Sequence, residues 1–222
     1  MKRVKTFVLC TLVSFSIHAQ SSLEIKSIVH NTSLKTNKQY SSENHNFKID
    51  NLKFYISNIV YLNQGDTVLE FQKKHHLIDI ADTNSLKLLS ALETSFDEVR
   101  FQIGIDSSTN VSGALDGDLD PTKGMYWTWQ SGYINFKLEG TSSYSQQRNG
   151  AFEYHLGGYL PPFQTIQSVS LKTKSTNQVK IELDIGKFLE LTNIETTPKV
   201  MSPSPEAKRL SEVLSTCFNI NE

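Results

Sequence analysis

The residues best suited to chemistry lie in one aromatic-rich segment, Gly124-Met-Tyr-Trp-Thr-Trp-Gln-Ser-Gly-Tyr133. It contains both tryptophans of the chain, Trp127 and Trp129, two residues apart. On a β-strand this spacing places both indoles on the same face. One interpretation is a pair of core aromatics. The other is a ligand surface, because the pair directly follows an Asp- and Gly-rich loop, and ligand sites are often built on loops.

Histidines are the next candidates, because neutral imidazole is a common metal ligand. His155 alternates with Tyr154 and therefore faces away from the core if Tyr154 faces inward. It is then either a metal ligand or an ordinary polar surface residue. His75 and His76 are adjacent, so on one strand they point to opposite faces, with His76 on the face of Ile78.

The loop before the aromatic segment is acidic. Its carboxylates are candidates for calcium, which binds carboxylate oxygens: Asp106, Asp116, Asp118 and Asp120. EF-hand spacing fails, because the twelfth position counted from Asp116 is Trp127 and not glutamate. The alternative is a solvated acidic turn that ends at Pro121.

Composition and motifs exclude several classes of function. The chain contains no Gly-x-Ser-x-Gly, His-Glu-x-x-His or P-loop motif. Its only cysteines are Cys10 and Cys217, which excludes a disulfide scaffold and a Cys-rich zinc or iron–sulfur site. With 22 basic and 23 acidic residues, it lacks the positive excess of a nucleic-acid binder. We therefore expect a binding protein rather than an enzyme.

The first twenty residues have the plan of a secretory signal: a basic start, an apolar run over residues 6–17, and a small residue at Ala19. The run is shorter than the roughly 20 residues that span a bilayer, so no transmembrane segment is expected. Cleavage near Ala19-Gln20 predicts a periplasmic or secreted protein. The mature chain would have 19 basic and 23 acidic residues, and Cys217 as its only cysteine.

The elements that must position these candidates are mostly strands. Residues 21–46 are polar and are expected to form a lead-in outside the fold. From Phe47 onward, apolar and polar residues alternate in short segments separated by turns. Near the end, Ser204 and Pro205 begin a predicted helix. The sequence thus predicts one domain over residues 47–222, an all-β, antiparallel, Greek-key-like β-sandwich with a C-terminal helix.

Several motifs follow one another in a fixed order along the chain. They include Phe54-Tyr-Ile-Ser-Asn-Ile59, His76-Leu-Ile-Asp79, the aromatic segment, His155-Leu-Gly157 and Val200-Met-Ser-Pro203. Over about Phe47 to Phe218 the chain resembles the MbnP-like family of periplasmic copper-binding proteins. The resemblance implies an extracytoplasmic β-sandwich that binds copper for storage, scavenging or delivery.

The resemblance also implies a ligand set. Copper would be held by histidine imidazoles and by a tryptophan oxidised to kynurenine, and the oxidation is attributed to a di-haem, peroxidase-like partner. Carried over by position, Trp127 is the first choice for the modified residue and Trp129 the second. His155 is the best imidazole ligand. Indole N–H is only a hydrogen-bond donor, so tryptophan would become a nitrogen ligand only after its ring is opened.

The chain departs from the family at one position. Some relatives have a histidine two residues after the modified tryptophan, where this chain has Trp129. His76 would then supply the missing imidazole, and Met125 or Met201 a thioether, which suits Cu(I). Two alternatives stay open: a metal-free β-sandwich that binds a peptide or carbohydrate through Tyr126 and the two tryptophans, and a calcium-stabilised domain.

Overall fold

The computed structural model of the chain describes residues 20–42, 46–91, 95–128, 130–174 and 178–221. Residues 1–19 of the predicted signal segment and Trp129 lie outside these residues. The described part contains strands and a few short helices, with the following bounds: β1 Gln20–Val29, β2 Thr32–Ser33, β3 Gln39–Ser41, β4 Asn46–Asn63, β5 Asp66–Glu70, β6 His75–Asp79, β7 Lys87–Ala91, β8 Glu98–Ile103, α1 Ser107–Val111, β9 Tyr126–Thr128, β10 Gly132–Ser142, β11 Ala151–Gly157, β12 Gln167–Lys172, β13 Gln178–Asp184, α2 Ile185–Leu191, β14 Lys199–Val200, α3 Pro205–Ser215 and β15 Phe218–Ile220.

The strands form two sheets. The larger has the order β12-β8-β4-β10-β11-β14, with β3, β5 and β6 also paired to β4 and β9 paired to β10. The smaller has the order β15-β13-β1-β2, with β7 also paired to β1. The all-β sandwich is confirmed. The expectation of purely antiparallel sheets is wrong for two pairs, β1 with β13 and β11 with β14, which run parallel. Parallel neighbours need a long crossover, and both pairs are far apart in sequence.

The core lies between the two sheets. Phe54 and Ile56 of β4 and Leu138 of β10 point inward from the larger sheet, and Ile181 of β13 points inward from the smaller one. All four are essentially inaccessible to solvent. These residues occupy alternate strand positions, so the period of two in the sequence correctly predicted the interior faces.

The prediction of a lead-in over residues 21–46 is wrong, because β1 is an internal strand of the smaller sheet. Leu23 pairs with Val179 and Ile25 with Ile181 in parallel register, and both β1 side chains are buried. The segment is polar on average because serine, glutamate and lysine occupy the alternate positions. The apolar residues Leu23 and Ile25 nevertheless lie on one face of the strand and are buried, so the fold begins well before Phe47.

The C-terminal helix α3 is confirmed. Pro205 is its first residue, and the Ser204 side chain accepts a hydrogen bond from the Ala207 amide at 3.1 Å. Leu210 and Leu214 pack into the core, as does Cys217 just after the helix. The sequence interpretation of Cys217 as a small buried hydrophobe therefore holds.

The loop over residues 104–125 covers part of the outer face of the larger sheet. There a second apolar cluster forms, separate from the main core, and is completed by the partly buried Tyr126 and Trp127: Tyr55, Leu77, Ile105, Leu119, Met125, Tyr133 and Ile134. The hydroxyl of Tyr55 donates to the Asp118 carbonyl at 3.0 Å, and that of Tyr133 donates to the Leu119 carbonyl at 3.0 Å. This outer cluster positions the aromatic segment.

Candidate functional site

The indole of Trp127 packs against a glycine of strand β11. Trp127 lies on β9, the short strand that pairs with β10. A Cβ atom placed on Gly157 would stand only 2.7 Å from Cζ3 of Trp127. The ring can rest on the strand only because residue 157 has no side chain. Trp127 is thereby held against the outer face of the larger sheet.

A buried asparagine fixes the β9–β10 hairpin. Asn110 Oδ1 accepts from the Tyr133 amide at 2.8 Å, and its Nδ2 donates to the Ile105 carbonyl at 3.0 Å. Gly132, with φ of +71°, approaches so closely that a Cβ there would lie 2.1 Å from Asn110 Oδ1. Sequence reasoning missed Asn110. Its only signal was that it is a polar residue in the segment just before the acidic residues Asp116, Asp118 and Asp120.

His155 lies on the same outer face of β11 as Gly157, two residues away. Its neighbour Tyr154 belongs to the core, so the predicted outward orientation of His155 is confirmed. On a strand, residues i and i+2 are separated by about 7 Å, so the Trp127 ring and the imidazole are neighbours along one face. His155 is nevertheless only 6% exposed, because surrounding side chains cover it.

A carboxylate orients the His155 ring. Nε2 of His155 lies 2.7 Å from Oε1 of Glu139, whose Oε2 accepts from Nδ2 of Asn51 at 2.8 Å. The hydrogen bond with His155 is the main reason why the pKa of Glu139 is lowered to about 2. Glu139 is therefore ionised at neutral pH and fixes one ring nitrogen of His155. Sequence reasoning missed Glu139 and Asn51, whose pairing with the imidazole depends on cross-strand register.

His76 lies on the other side of the sheet. It stands opposite Ile56, a core residue, and its ring meets Phe71 edge-on with centroids 6.1 Å apart. Residues directly opposite in an antiparallel pair share a face. The prediction that His76 completes a site with His155 is therefore wrong: the sheet separates them. Burial lowers the pKa of His76 to about 4, so its imidazole is neutral.

The two predicted thioethers differ in accessibility. Met125 is fully buried in the outer cluster, which explains its place in the aromatic segment as packing. Met201 is 36% exposed and directly follows Val200, which pairs with Tyr154 of β11. Met201 thus directly follows the residue that pairs with Tyr154, the chain neighbour of His155.

The predicted calcium site does not form. Among the described residues, no group of three or more histidine, cysteine, aspartate or glutamate side chains is arranged to hold a metal ion. Asp106 caps α1 and Asp120 caps the turn at Pro121, while Asp118 contacts Lys73 Nζ at 2.5 Å and Lys123 Nζ at 3.2 Å. Burial opposes ionisation of Asp118, but the hydrogen bonds from Lys73, the Leu77 amide and Lys123 outweigh it and lower its pKa.

The aromatic side chains that the structure describes in this segment, Tyr126, Trp127 and Tyr133, do not form a flat, open platform. The rings of Tyr126 and Tyr133 contact at 4.8 Å between centroids, inclined by 61°, and both Tyr126 and Trp127 pack on the outer cluster. A sugar or peptide plane would need a ring face left uncovered. The described part of the segment therefore gives no support to the metal-free alternative, whose third aromatic, Trp129, lies outside the described residues.

The fold and the site together define a β-sandwich that holds a tryptophan and a carboxylate-bound histidine side by side on an outer face. The MbnP family model matches residues 18–202, which is most of the chain. The chain therefore belongs to the MbnP family. This family is extracytoplasmic and is associated with copper in general terms.

A solved structure agrees with this assignment. MbnP from Methylosinus trichosporium has 12% sequence identity to the chain and superposes with a TM-score of 0.60, covering 77% of each chain. At this identity the match supports the fold alone. No curated protein matches the chain. In the part of the chain that the structure describes, no helix is both long and apolar enough to cross a membrane.

Proposed function

We propose that the chain is an extracytoplasmic copper-binding protein, for storage, scavenging or delivery and not for catalysis, with its site on the outer face at Trp127 and His155. One observation carries the proposal: the Trp127 ring rests on Gly157, two residues from His155 on the same face of β11. Family membership supports copper as the metal.

The surroundings of His155 suit a metal ligand. Metal-binding histidines usually donate their second ring N–H to a carboxylate or carbonyl, which fixes the tautomer. Here Glu139 holds Nε2 at 2.7 Å, so the lone pair of the neutral ring lies on Nδ1. Imidazole nitrogen, with the thioether of Met201 as the soft donor, selects copper over hard cations.

Trp127 would contribute after oxidation. Two molecules of hydrogen peroxide would each deliver one oxygen atom, one to indole C2 and one to C3, so that the C2–C3 bond breaks and two waters are released. Hydrolysis of the resulting N-formyl amide then releases C2 as formate. The product, kynurenine, has an aryl amine whose nitrogen carries a lone pair. A di-haem, peroxidase-like partner is the proposed catalyst of this oxidation, with peroxide as the oxidant, and the partial exposure of Trp127 at the β9–β10 hairpin is compatible with its access.

The test compares two histidines on opposite faces of the same sheet. His155→Ala removes the proposed ligand, and His76→Ala is the matched control, because each histidine is 6% exposed. We expect Cu(I) affinity, measured by competition with a chromogenic chelator, to fall by at least about tenfold in the first variant only. Equal affinities, or a loss in His76→Ala alone, would contradict the proposal.

The modification has its own test. Intact mass and peptide mapping of the protein from its native host should show oxidation at Trp127. Trp127→Phe should bind copper no more tightly than unmodified protein, because neither has the aryl amine. A native protein with full copper and an intact Trp127 would remove the modified tryptophan from the proposal and leave His155.

A further inference from the structure

A second cluster of metal-ligating atoms lies on the outer face around His75, the histidine next to His76 on β6. His75 begins β6, and its ring faces Asp106 and Thr109 at the start of α1. Its Nε2 lies 3.2 Å from Thr109 Oγ1 and 3.8 Å from Asp106 Oδ2, and Thr109 Oγ1 lies 3.0 Å from Asp106 Oδ2. Three donor atoms from two elements thus face one another.

The other ring nitrogen of His75, Nδ1, is held by a hydrogen bond with Ser57. Ser57 is fully buried, and its hydroxyl donates to the Gly104 carbonyl at 2.7 Å. Its single proton is used there, so His75 Nδ1, at 3.0 Å, must donate to Ser57 Oγ. In the neutral imidazole the lone pair is therefore on Nε2, directed toward Thr109 and Asp106.

The three facing atoms have more lone pairs than protons of their own. Nε2 of the neutral ring and Oδ2 of Asp106 are both acceptors, and the Thr109 hydroxyl has one proton for the two of them, so the second proton at Oδ2 comes from outside the three, from the ammonium group of Lys74 at 3.0 Å. A triangle with sides of 3.2, 3.0 and 3.8 Å has its centre about 2 Å from each corner. That is the length of a zinc–nitrogen or zinc–oxygen bond.

We propose that His75, Asp106 and Thr109 form a binding site for a divalent transition-metal ion, with zinc as the ion of matching bond length. Nε2 and Oδ2 are the two strong donors, the Thr109 hydroxyl is the third, and water completes the coordination. The Ser57 hydroxyl is the outer-shell partner that orients the imidazole. A nitrogen and oxygen donor set of this kind suits zinc better than Cu(I).

The site is separate from the proposed copper site. The strands β6, β4, β10 and β11 are neighbours in this order, because a row of paired residues crosses them: Asp79, Lys53, Lys137 and His155. Strands β6 and β11 are therefore three strand spacings apart, about 14 Å. Loss of copper binding would therefore leave this inference intact, and loss of zinc binding would leave the copper proposal intact.

One side chain competes with the metal. Nζ of Lys74 lies 3.0 Å from Asp106 Oδ2, but the Lys74 side chain is 53% exposed and can swing into solvent. Removing its charge with Lys74→Met should strengthen zinc binding, because the ion would no longer displace an ammonium group. Stronger zinc binding in Lys74→Met would distinguish a metal ion at Asp106 from zinc bound to other surface histidines, because those histidines do not compete with Lys74.

The experiment is a zinc titration of the full chain by calorimetry, with the imidazole nitrogens followed by long-range 15N NMR. Asp106→Asn is the main variant, because asparagine also caps helices well and should preserve α1. Thr109→Val keeps the side-chain shape and removes the hydroxyl, and His155→Ala is the control. We expect a zinc-dependent shift at Nε2 of His75, with affinity at least about tenfold weaker in Asp106→Asn, weaker in Thr109→Val, tighter in Lys74→Met and unchanged in His155→Ala.

Two results would overturn the site. One is the absence of any zinc-dependent shift at His75 Nε2 in the unmodified chain. The other is an affinity unchanged by Asp106→Asn in a variant whose circular dichroism is that of the unmodified chain. If Asp106→Asn does not fold, the other two variants test the site. Zinc affinities of Thr109→Val and Lys74→Met that both equal that of the unmodified chain would contradict the proposal.

Discussion

At the scale of single residues, the site depends on a missing side chain and an oriented one. Gly157 allows the Trp127 ring to lie on β11, and Glu139 fixes the ring of His155 on the same strand. The orientation of His155 followed from the period of two in its strand. Whether His76 lies on the same face of the sheet as His155 did not follow from it, because alternation within each strand does not say which face the two strands share. Only the pairing of the strands shows that the two histidines lie on opposite faces.

The first prediction concerns Gly157. In Gly157→Val the new Cβ would stand 2.7 Å from Trp127 Cζ3 and 2.6 Å from the Tyr133 carbonyl oxygen, so the indole must move. We expect a loss of about 1–3 kcal/mol in the free energy of unfolding, together with weaker copper binding. Urea denaturation and chelator competition measure the two effects. Ala151→Val, at the other end of β11, is the control, and a full copper affinity in Gly157→Val would contradict the placement of Trp127.

At the scale of elements, the hairpin β9–β10 and the loop before it are joined by polar side chains rather than by apolar packing alone. Asn110 receives the Tyr133 amide and donates to two carbonyls, those of Ile105 and Asp106. The acidic residues that resembled a calcium loop act as caps and as partners of lysines. Composition shows that carboxylates are present, but it does not show which backbone amides and lysines will be their hydrogen-bond partners.

The second prediction tests this junction. Asn110→Leu keeps a similar volume but leaves the buried Tyr133 amide without its acceptor and the Ile105 carbonyl without its side-chain donor, whereas the Asp106 carbonyl still accepts from the backbone amide of residue 110. We expect the free energy of unfolding to fall by about 2–4 kcal/mol. Ser112→Ala, an exposed residue at the end of α1, should change it by no more than about 0.5 kcal/mol. Similar stabilities for both variants would show that Asn110 does not hold the hairpin.

The third prediction is a pH dependence at the β8–β12 pair. Glu98 accepts from Lys172 at 2.5 Å and from Arg100 at 2.8 Å, and the bond from Lys172 is the main reason why its pKa is lowered to about 2. A carboxylate with a depressed pKa stabilises the fold above its ordinary value of 4.5, and this contribution is lost as the pH falls toward 2. Glu98→Gln should therefore have a flatter stability profile than the unmodified chain between pH 4.5 and 2.

The measurement is a series of urea denaturations across that interval. Glu153→Gln is the control, because Glu153 pairs with Lys199 at the surface of the edge strand β14. Of the two variants, Glu98→Gln should have the flatter profile. If both variants give the same profile, the ion pairs of Glu98 do not contribute specifically to the acid dependence.

At the scale of the whole molecule, the fold class and the C-terminal helix were predictable, and the start of the domain was not. Strand alternation and the Ser204-Pro205 start are local signals, and both were read correctly. β1 escaped because its apolar face becomes meaningful only when β13, over 150 residues later, pairs with it. The parallel arrangement of this pair depends on the same long-range contact.

The fourth prediction tests the role of β1. Ile25 is 1% exposed and pairs with Ile181 in the core of the smaller sheet. Ile25→Ala should lower the free energy of unfolding by about 2–5 kcal/mol, whereas Glu24→Ala, on the opposite face of the strand, should have a small effect. Equal and small effects would restore the description of this segment as a lead-in.

The central claim is that copper binds on the outer face at His155 beside Trp127. The most direct measurement is anomalous X-ray scattering at the copper edge from a crystal of the copper-loaded protein. We predict a peak at bonding distance from Nδ1 of His155, on the side of β11 where the residue 127 ring lies. A copper peak at His76, on the inner face of the sheet, or no peak near His155 would contradict the account.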